Sequence, residues 1–434
     1  MKKMFRLTEN HTTCRTEISA GLTTFFAMAY IIFLNPVFLS STGMDASGIL
    51  VATCLSAALG CFLCAFFSNK PFAMASGMGM NAFFAYTLCG RCGYTWQQAL
   101  ALTAISGVIF LLLVLSPLRE KIIAAIPANL KYAISAGIGL FLTVIGLLDT
   151  GIITMTQGYP ALGDLHDASV QIALAGLAIT AVLLVCKVKG SLILGMAATV
   201  LLSLLCGQTA LPQQVIGAPS TIGRVFCKLD FTGLLQGDGL SGIAALAALL
   251  LSMTMVDLFD TLGFLIGTGA RAGLLEEDGS LPGTGRVLIA DASATVLGAL
   301  CGTSTVTCYA ESAAGIAAGG RTGLTALTVG ICFLLAAFFS PLAGIMTAAA
   351  TAPAMIIVGM YLLMEIKRVD FSQMDDAIPA FATIVTMPFA YSITTGIAAG
   401  FLSYVLCKLA ARKWRALNVP VVLLALVFLL YLCL

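Results

Sequence analysis

Apolar runs fill this chain from about Ile18 to its end, broken by short polar joints. Most have the length, about 17–25 residues, that carries a helix across ~30 Å of hydrocarbon. They predict helices over residues 17–35, 48–67, 80–88, 96–116, 128–148, 168–186, 190–206, 238–270, 286–300, 311–319, 321–339, 351–366, 376–389, 392–410 and 418–434. The helices at 80–88 and 311–319 are short. Each follows a stretch that reads as extended: PFAMASGMGM (71–80) and TSTVTCYA (303–310). Residues 376–410 read either as two short helices broken near Pro388 or as one crossing, and the side of the C-terminus depends on which.

Composition makes the array a membrane protein. Only 10% of the residues are charged and the mean hydropathy is +1.02, against roughly 25% charged in soluble domains. The N-terminal MKKMFRLTENHTTCRTEISAG is too polar for a signal peptide, so the first apolar run stays as a membrane helix. A net charge of +2 with no basic patch gives no footprint for nucleic acid. The 14 Cys are scattered, and the close pair Cys89 and Cys92 has no second pair or His to complete a metal site. His11 and His166 lie in polar segments.

Charge orients the array. With the N-terminus cytoplasmic and the side alternating at each helix, 18 of the 22 Lys and Arg fall on the cytoplasmic side. Arg91, Arg224 and Lys228 fall outside, and Lys131 opens a helix.

The chain also repeats. SPLREKIIAAIPANLKYAISAGIGL (116–140) and SPLAGIMTAAATAPAMIIVGMYL (340–362) share Ser-Pro-Leu, a spacer, Pro-Ala and a Gly-bearing apolar run. The first copy carries Arg119 and Lys121 and falls inside. The second has no charge there and falls outside. Two halves related by inversion are the usual plan of a secondary transporter. A similar offset sets Asn81 opposite Glu311 and the two extended-plus-short-helix segments opposite each other. Non-helical backbone at membrane depth survives only where protein or a polar cavity satisfies it. These segments therefore read as a binding site, with half-helix N-termini facing a polar ligand.

Four of the 20 acidic residues fall at membrane depth: Asp257, Asp260, Asp291 and Glu311. Each costs at least ~2.5–3.5 kcal/mol at a helix centre, which marks it as functional by default. Asp260 and Glu311 are read as ligand or proton contacts. For Asp257 and Asp291 a structural role, capping or pairing, weighs as much as a functional one. Asn81 is read as a ligand contact, with capping of its short helix as the other option. Phe25, Phe26, Phe83, Phe84 and Tyr309 flank the expected cavity, where a ring can stack on a flat ligand, although for any one of them packing is the stronger reading.

At these residues the chain resembles a known family. MASGMGMNAFFAY, VDLFDTLGFLIG, YAESAAGIAAGGRTGLTA and AIPAFATIVTMPFAYSI look like the adenine/guanine/hypoxanthine permease branch of the nucleobase:cation symporter-2 (nucleobase-ascorbate transporter-like) family. The likeness runs from GLTTFFAMAYIIFLNP (21–36) through nearly the whole chain. It implies an all-α polytopic fold of about fourteen transmembrane segments, two inverted repeats of seven, with segments 3 and 10 each a strand followed by a half-helix. Core and gate domains follow: 14–117 and 238–339 for the core, 118–206 and 340–434 for the gate. The family's segment-8 acid carries onto Asp260, three residues before Gly263, with Asp257 beside it. Its segment-10 acid carries onto Glu311, its segment-3 Gly-x-Asn onto Gly79 and Asn81, and its segment-9 Asp onto Asp291. Glu-Ser-Ala-Ala-Gly lacks the Asn of the xanthine, urate and uracil branch.

The expected function is import of guanine, hypoxanthine or adenine across a bacterial-type plasma membrane by symport with a proton, Na+ being the other ion to consider. Asp260, Glu311, Asn81, Gly79, Ser312, Ala310 and Phe26 would bind substrate; Asp257 and Asp291 would support proton coupling. No catalytic residue, metal or cofactor is expected, and a homodimer is expected by family analogy. The alternatives are another nucleobase, uracil or xanthine, or a small anion on the same fold. An intramembrane aspartyl protease is rejected, because its Gly-x-Gly-Asp is absent and the inverted repeat has no use in one.

Overall fold

The computed structural model describes residues 4–116, 127–156, 159–188, 190–209, 214–235, 239–271, 283–345 and 347–433. Among them, ten helical stretches are long and apolar enough to cross a membrane. The first is interrupted: α1 (Cys14–Met28) and α2 (Ile31–Ser40) meet in a turn at Ala29 and Tyr30. Thr13 opens α1 by accepting the Thr16 N–H, and Asp45 opens α3 (Ala46–Leu63) by accepting that of Gly48. α5 (Trp96–Leu115) begins with a reciprocal Thr95–Gln98 capping box.

The two short segments form as the sequence predicts. β1 (Met74–Ser76) runs into α4 (Met78–Ala82), which continues as a π-helical stretch over Phe83–Arg91. β4 (Val306–Cys308) runs into α11 (Ser312–Ala317). The strands pair antiparallel, Met74 with Cys308, Ala75 with Thr307 and Ser76 with Val306, and all six residues are buried. Antiparallel pairing is what inversion of the halves requires. It also gives each strand a backbone partner where no water is at hand.

Packing sorts the helices into two bodies. The core gathers α1, α2, α3 and α5 with α9 (Gly239–Arg271), α10 (Thr284–Cys301) and α12 (Gly323–Ala336) around the strands. The gate gathers α6 (Ala128–Asp149), α7 (Ala168–Val185), α8 (Ser191–Leu205), α13 (Ala348–Leu363), α14 (Met374–Phe389) and α15 (Ile393–Ala410). α6 and α13 cross at Gly139 and Gly359, where a methyl group on either would strike the other's carbonyl oxygen. An exposed hairpin, β2 (Ile153–Thr156) and β3 (Tyr159–Leu162), follows α6. Arg119 and Lys121, which oriented the first repeat copy, lie outside the described residues.

Residues 376–410 are two antiparallel helices rather than one crossing. α14 and α15 turn at Ala390–Ser392, and Lys408 near the end of α15 reaches Asp375 (2.6 Å) and Asp376 (2.8 Å) at the start of α14. α16 (Val419–Cys433) then packs on both α15 and the core helix α9. Its Tyr431 lies beside Ser392 and Thr395, so α16 ends near the start of α15, at the opposite end of that helix from Lys408.

Candidate functional site

Asp260 and Glu311 both lie on the side of the core that meets the gate. Asp260, only 6% exposed on α9, lies close enough to Ser135 of gate helix α6 for the two side chains to interact. Gly79, at the start of α4, lies against the same place. A methyl group there would sit 3.6 Å from Asp260 Oδ2 and 3.0 Å from Ile138 of α6. Glu311 stands just before α11, half-exposed beside the exposed Ala310, although the strand before them is fully buried. Its Oε1 accepts a 2.7 Å hydrogen bond from the Tyr30 hydroxyl. Tyr361 of gate helix α13 is close enough to interact electrostatically with Glu311. The crossed pair α6 and α13 thus presents Ser135, Ile138 and Tyr361 to the face of the core that carries Asp260, Gly79 and Glu311.

Asp257 and Asp291 lie deeper, behind the strands. Asp257 Oδ2 accepts from Thr295 (3.0 Å), whose hydroxyl also lies 3.1 Å from the Val306 carbonyl. Asp291 Oδ2 accepts from Thr261 (2.8 Å), which in turn lies 2.5 Å from the hydroxyl of Thr307 on β4. Both carboxylates are buried, and Asp257 Oδ1, Asp291 Oδ1 and the Thr305 hydroxyl make no well-formed hydrogen bond, although Thr305 stands beside Asp257 and the Cys308 N–H beside Asp291. An unpartnered buried polar atom costs about 1–3 kcal/mol, and such atoms are rare enough to need an explanation.

Three expected ligand residues face elsewhere. Asn81 is fully buried in the core, where its Oδ1 accepts from the hydroxyls of Ser76 (2.7 Å) and Ser304. It joins β1 to the approach to β4 because a buried amide oxygen satisfies two hydroxyls at once. The Ser312 hydroxyl accepts the Ala73 N–H at 3.0 Å and its own N–H bonds the Tyr309 carbonyl, so the residue fastens α11 to the lead-in of β1. Phe26 is 54% exposed and lines a separate crevice of about 340 Å³ with Ser19, Leu22, Gly190 and Ile193, between α1 and α8. Of the flanking aromatics, Phe83 and Phe84 are buried packing. The Tyr309 hydroxyl is spent on the Ser76 carbonyl (2.5 Å).

Sequence reasoning missed Tyr30, Ser135 and Glu17. Tyr30 is an isolated hydroxyl inside the apolar run YIIFLNP; Ser135 is one Ser among many. Glu17 is a fifth buried carboxylate, fully enclosed, although it stands at the polar edge of the first run. It accepts from Arg321 N (2.9 Å), Thr322 N (3.2 Å) and the Thr325 hydroxyl (2.6 Å), and so caps α12 from another helix.

Inverted half-helix segments crossing in the membrane, with carboxylates where one helical body meets another, define a membrane transporter. Solved structures share this fold. The transmembrane domain of a cyanobacterium bicarbonate transporter, BicA, matches with a TM-score of 0.65 at 15% identity over 89% of this chain and 97% of that one. SLC26A9 matches with a TM-score of 0.63 at 11% identity over 90% of this chain and 64% of that one. The Xan_ur_permease model, described as "Permease family", matches residues 15–399, and the chain belongs to that family. It is 42% identical to the guanine/hypoxanthine permease PbuO of Bacillus subtilis, over 98% of both chains. It is 39% identical to the adenine permease AdeQ of Escherichia coli, over 99% of this chain and 95% of that one.

Proposed function

We propose that the protein imports purine nucleobases, guanine, hypoxanthine or adenine, by symport with a proton and alternating access between core and gate. The observation that carries the reading is the placement of Asp260 and Glu311 on the core face that meets α6 and α13. A neutral purine offers ring N–H and exocyclic NH2 donors, and carboxylates are the acceptors that suit them. Gly79 lets the start of α4 approach Asp260 and Ile138 closely, and the exposed Ala310 leaves Glu311 accessible on one side. The names of the relatives, guanine/hypoxanthine and adenine permeases, agree. Two carboxylates facing the cavity oppose a small anion as cargo.

Asp257 and Asp291 support the coupling part of the reading. Each keeps one oxygen on a threonine hydroxyl and one without a well-formed hydrogen bond, and a proton is a cargo that the second oxygen can take. We place the protein in the plasma membrane with its N-terminus cytoplasmic, on the charge asymmetry, and expect a homodimer.

Uptake of radiolabelled guanine, hypoxanthine, adenine and uracil into cells lacking their own carriers tests the proposal. Saturable uptake of a purine, competed by the other purines, is the expected result. Uptake of uracil alone, or of none of the four, would overturn it.

A further inference from the structure

The first span holds segment 10 at two points. Asn35 of α2 donates through Nδ2 to the Thr303 hydroxyl (2.8 Å), just before β4, and to Thr53 of α3 (2.7 Å). Tyr30, five residues earlier, donates its hydroxyl to Glu311 Oε1 (2.7 Å), just after β4. The two contacts bracket the strand and the turn that leads into α11. Tyr30 belongs to the turn between α1 and α2, where Ile32 N and Phe33 N bond back to the carbonyls of Ala29 and Tyr30 at 3.2 Å. Its ring is 2% exposed, so the hydroxyl cannot turn to solvent for another partner. Among the described residues this hydroxyl is the one side-chain hydrogen-bond donor to the Glu311 carboxylate, and it engages Oε1 alone.

From this we infer that Tyr30 is a positioning residue for the substrate: it fixes the plane of the Glu311 carboxylate so that its remaining acceptor sites meet a ring N–H of the purine. The inference rests on the reading of Glu311 as a ligand. A carboxylate on rotatable side-chain bonds loses freedom when it binds, and a partner that has already fixed its orientation removes that loss. The hydroxyl also keeps Oε1 partnered when the site is empty, which lowers the desolvation cost of holding a carboxylate there. A substrate donor set at the wrong angle meets a plane that cannot turn to it. Tyr30 thereby contributes to selectivity among purines without touching them.

The test pairs a variant with altered substrates. Purified Tyr30→Phe, which keeps the ring and loses the hydroxyl, is compared with wild type for binding of guanine and of its 1-methyl, 7-methyl and 9-methyl derivatives. In wild type, methylation of the nitrogen that faces Glu311 should weaken binding more than methylation elsewhere. In Tyr30→Phe, guanine should bind roughly 10- to 150-fold more weakly, as loss of one hydrogen bond to a charged group implies. The penalty for methylating that one nitrogen should shrink, and the penalties for the other positions should stay. Tyr30→His keeps an N–H donor and should recover part of the loss, which also serves if the phenylalanine variant does not accumulate. Uniform weakening toward all four ligands, with no recovery by histidine, would mean that Tyr30 only packs and would overturn the inference. Glu311→Gln separates this from the parent reading. If it binds guanine as wild type does, Glu311 is not the ligand and the function proposal loses its site, whatever Tyr30 does.

Discussion

The Tyr86 hydroxyl donates to Asp149 Oδ2 at 3.0 Å and so ties the core to the gate. Tyr86 belongs to the π-helical stretch after α4, and Asp149 is the last residue of α6. The tie is one of several at this end. Arg91 donates to the Ala390 carbonyl (2.6 Å) at the turn between α14 and α15. The Tyr86 ring of the core, itself packed on Phe38, meets Phe141 (6.3 Å between centroids) and Tyr391 (5.7 Å) of the gate edge to face. Such pairs are worth about 0.5–1.5 kcal/mol each beyond their buried area.

In the proposed alternating-access cycle, core and gate separate at this end. Tyr86→Phe removes the bond to Asp149 and keeps the rings. It should shift the balance toward separation by roughly tenfold, the effect of one charge-assisted hydrogen bond. Cys89 and Cys92 lie on the same stretch and are half-buried, and their thiol labelling, read by peptide mass mapping, reports the shift. Unchanged labelling in Tyr86→Phe would show that the bond does not hold this end closed.

Glu311→Ala should abolish purine binding in protein that still inserts, because it removes an acceptor at the cavity without disturbing the strands behind it. Surface expression and radiolabelled uptake, measured together, check this. Near-normal uptake at normal expression would remove Glu311 from the site.

Asn81→Ala should behave differently. Its amide oxygen holds Ser76 and Ser304; these hydroxyls lie 2.9 Å apart, so without it one can turn to the other and the second is left short of an acceptor, at about 1–3 kcal/mol. The detergent-solubilised protein should melt earlier while the affinity of the surviving fraction for purine stays near wild type. A large loss of affinity with an unchanged melting temperature would return Asn81 to the cavity.

The sequence showed the membrane array, the inverted strand-plus-half-helix segments and four of the buried carboxylates, because each leaves a local mark. Length, composition and an acid in an apolar run are visible one segment at a time. What was not legible was direction. Asn81, Ser312 and Phe26 sit in the expected segments, but only packing decides whether a side chain faces a cavity, a neighbouring strand or an outer crevice. Tyr30 and Ser135 were missed for the same reason. Each gains its role from a partner far away in sequence, Tyr30 from Glu311 and Ser135 from Asp260. Glu17 was missed because a helix cap supplied by another helix has no local spacing to betray it.

Symport with a proton makes uptake rise as external pH falls from about 8 to about 6, since loading needs a protonated carboxyl on the outside. A protonophore should abolish accumulation. The Asp375 ion pair does not contribute to such a profile. Hydrogen bonds from Lys408 and Lys413 hold its carboxyl down to about 2. A depressed carboxyl gives its stabilisation above the ordinary carboxylate range and loses it only as pH falls toward that value, well below the window of the assay. Uptake that is flat across the window but requires external Na+ would replace the proton with sodium.

Asp260→Asn and Asp257→Asn separate the residue that meets substrate from the one that supports coupling. The two lie three residues apart on α9 and point to different neighbours. Asp260 meets Ser135 of the gate and lies beside Gly79, whereas Asp257 is turned to Thr295 of α10. Asparagine keeps the size, turns one acceptor oxygen into an NH2 donor and removes the titrating group. At position 260 it sets a donor against a purine N–H, and a buried donor left unpaired costs about 1–3 kcal/mol, or roughly 5- to 150-fold in affinity. Asp260→Asn should therefore raise the purine Kd by that factor. At position 257 the substitution leaves the cavity face unchanged and removes a carboxyl behind the strands. Asp257→Asn should leave the Kd within about threefold and flatten the pH dependence of uptake instead. Purine binding by isothermal calorimetry, set beside uptake at several external pH values, reads both effects. If Asp257→Asn is the variant that loses affinity and Asp260→Asn binds normally, the ligand lies one helical turn away on α9, and Asp260 only joins the core to Ser135.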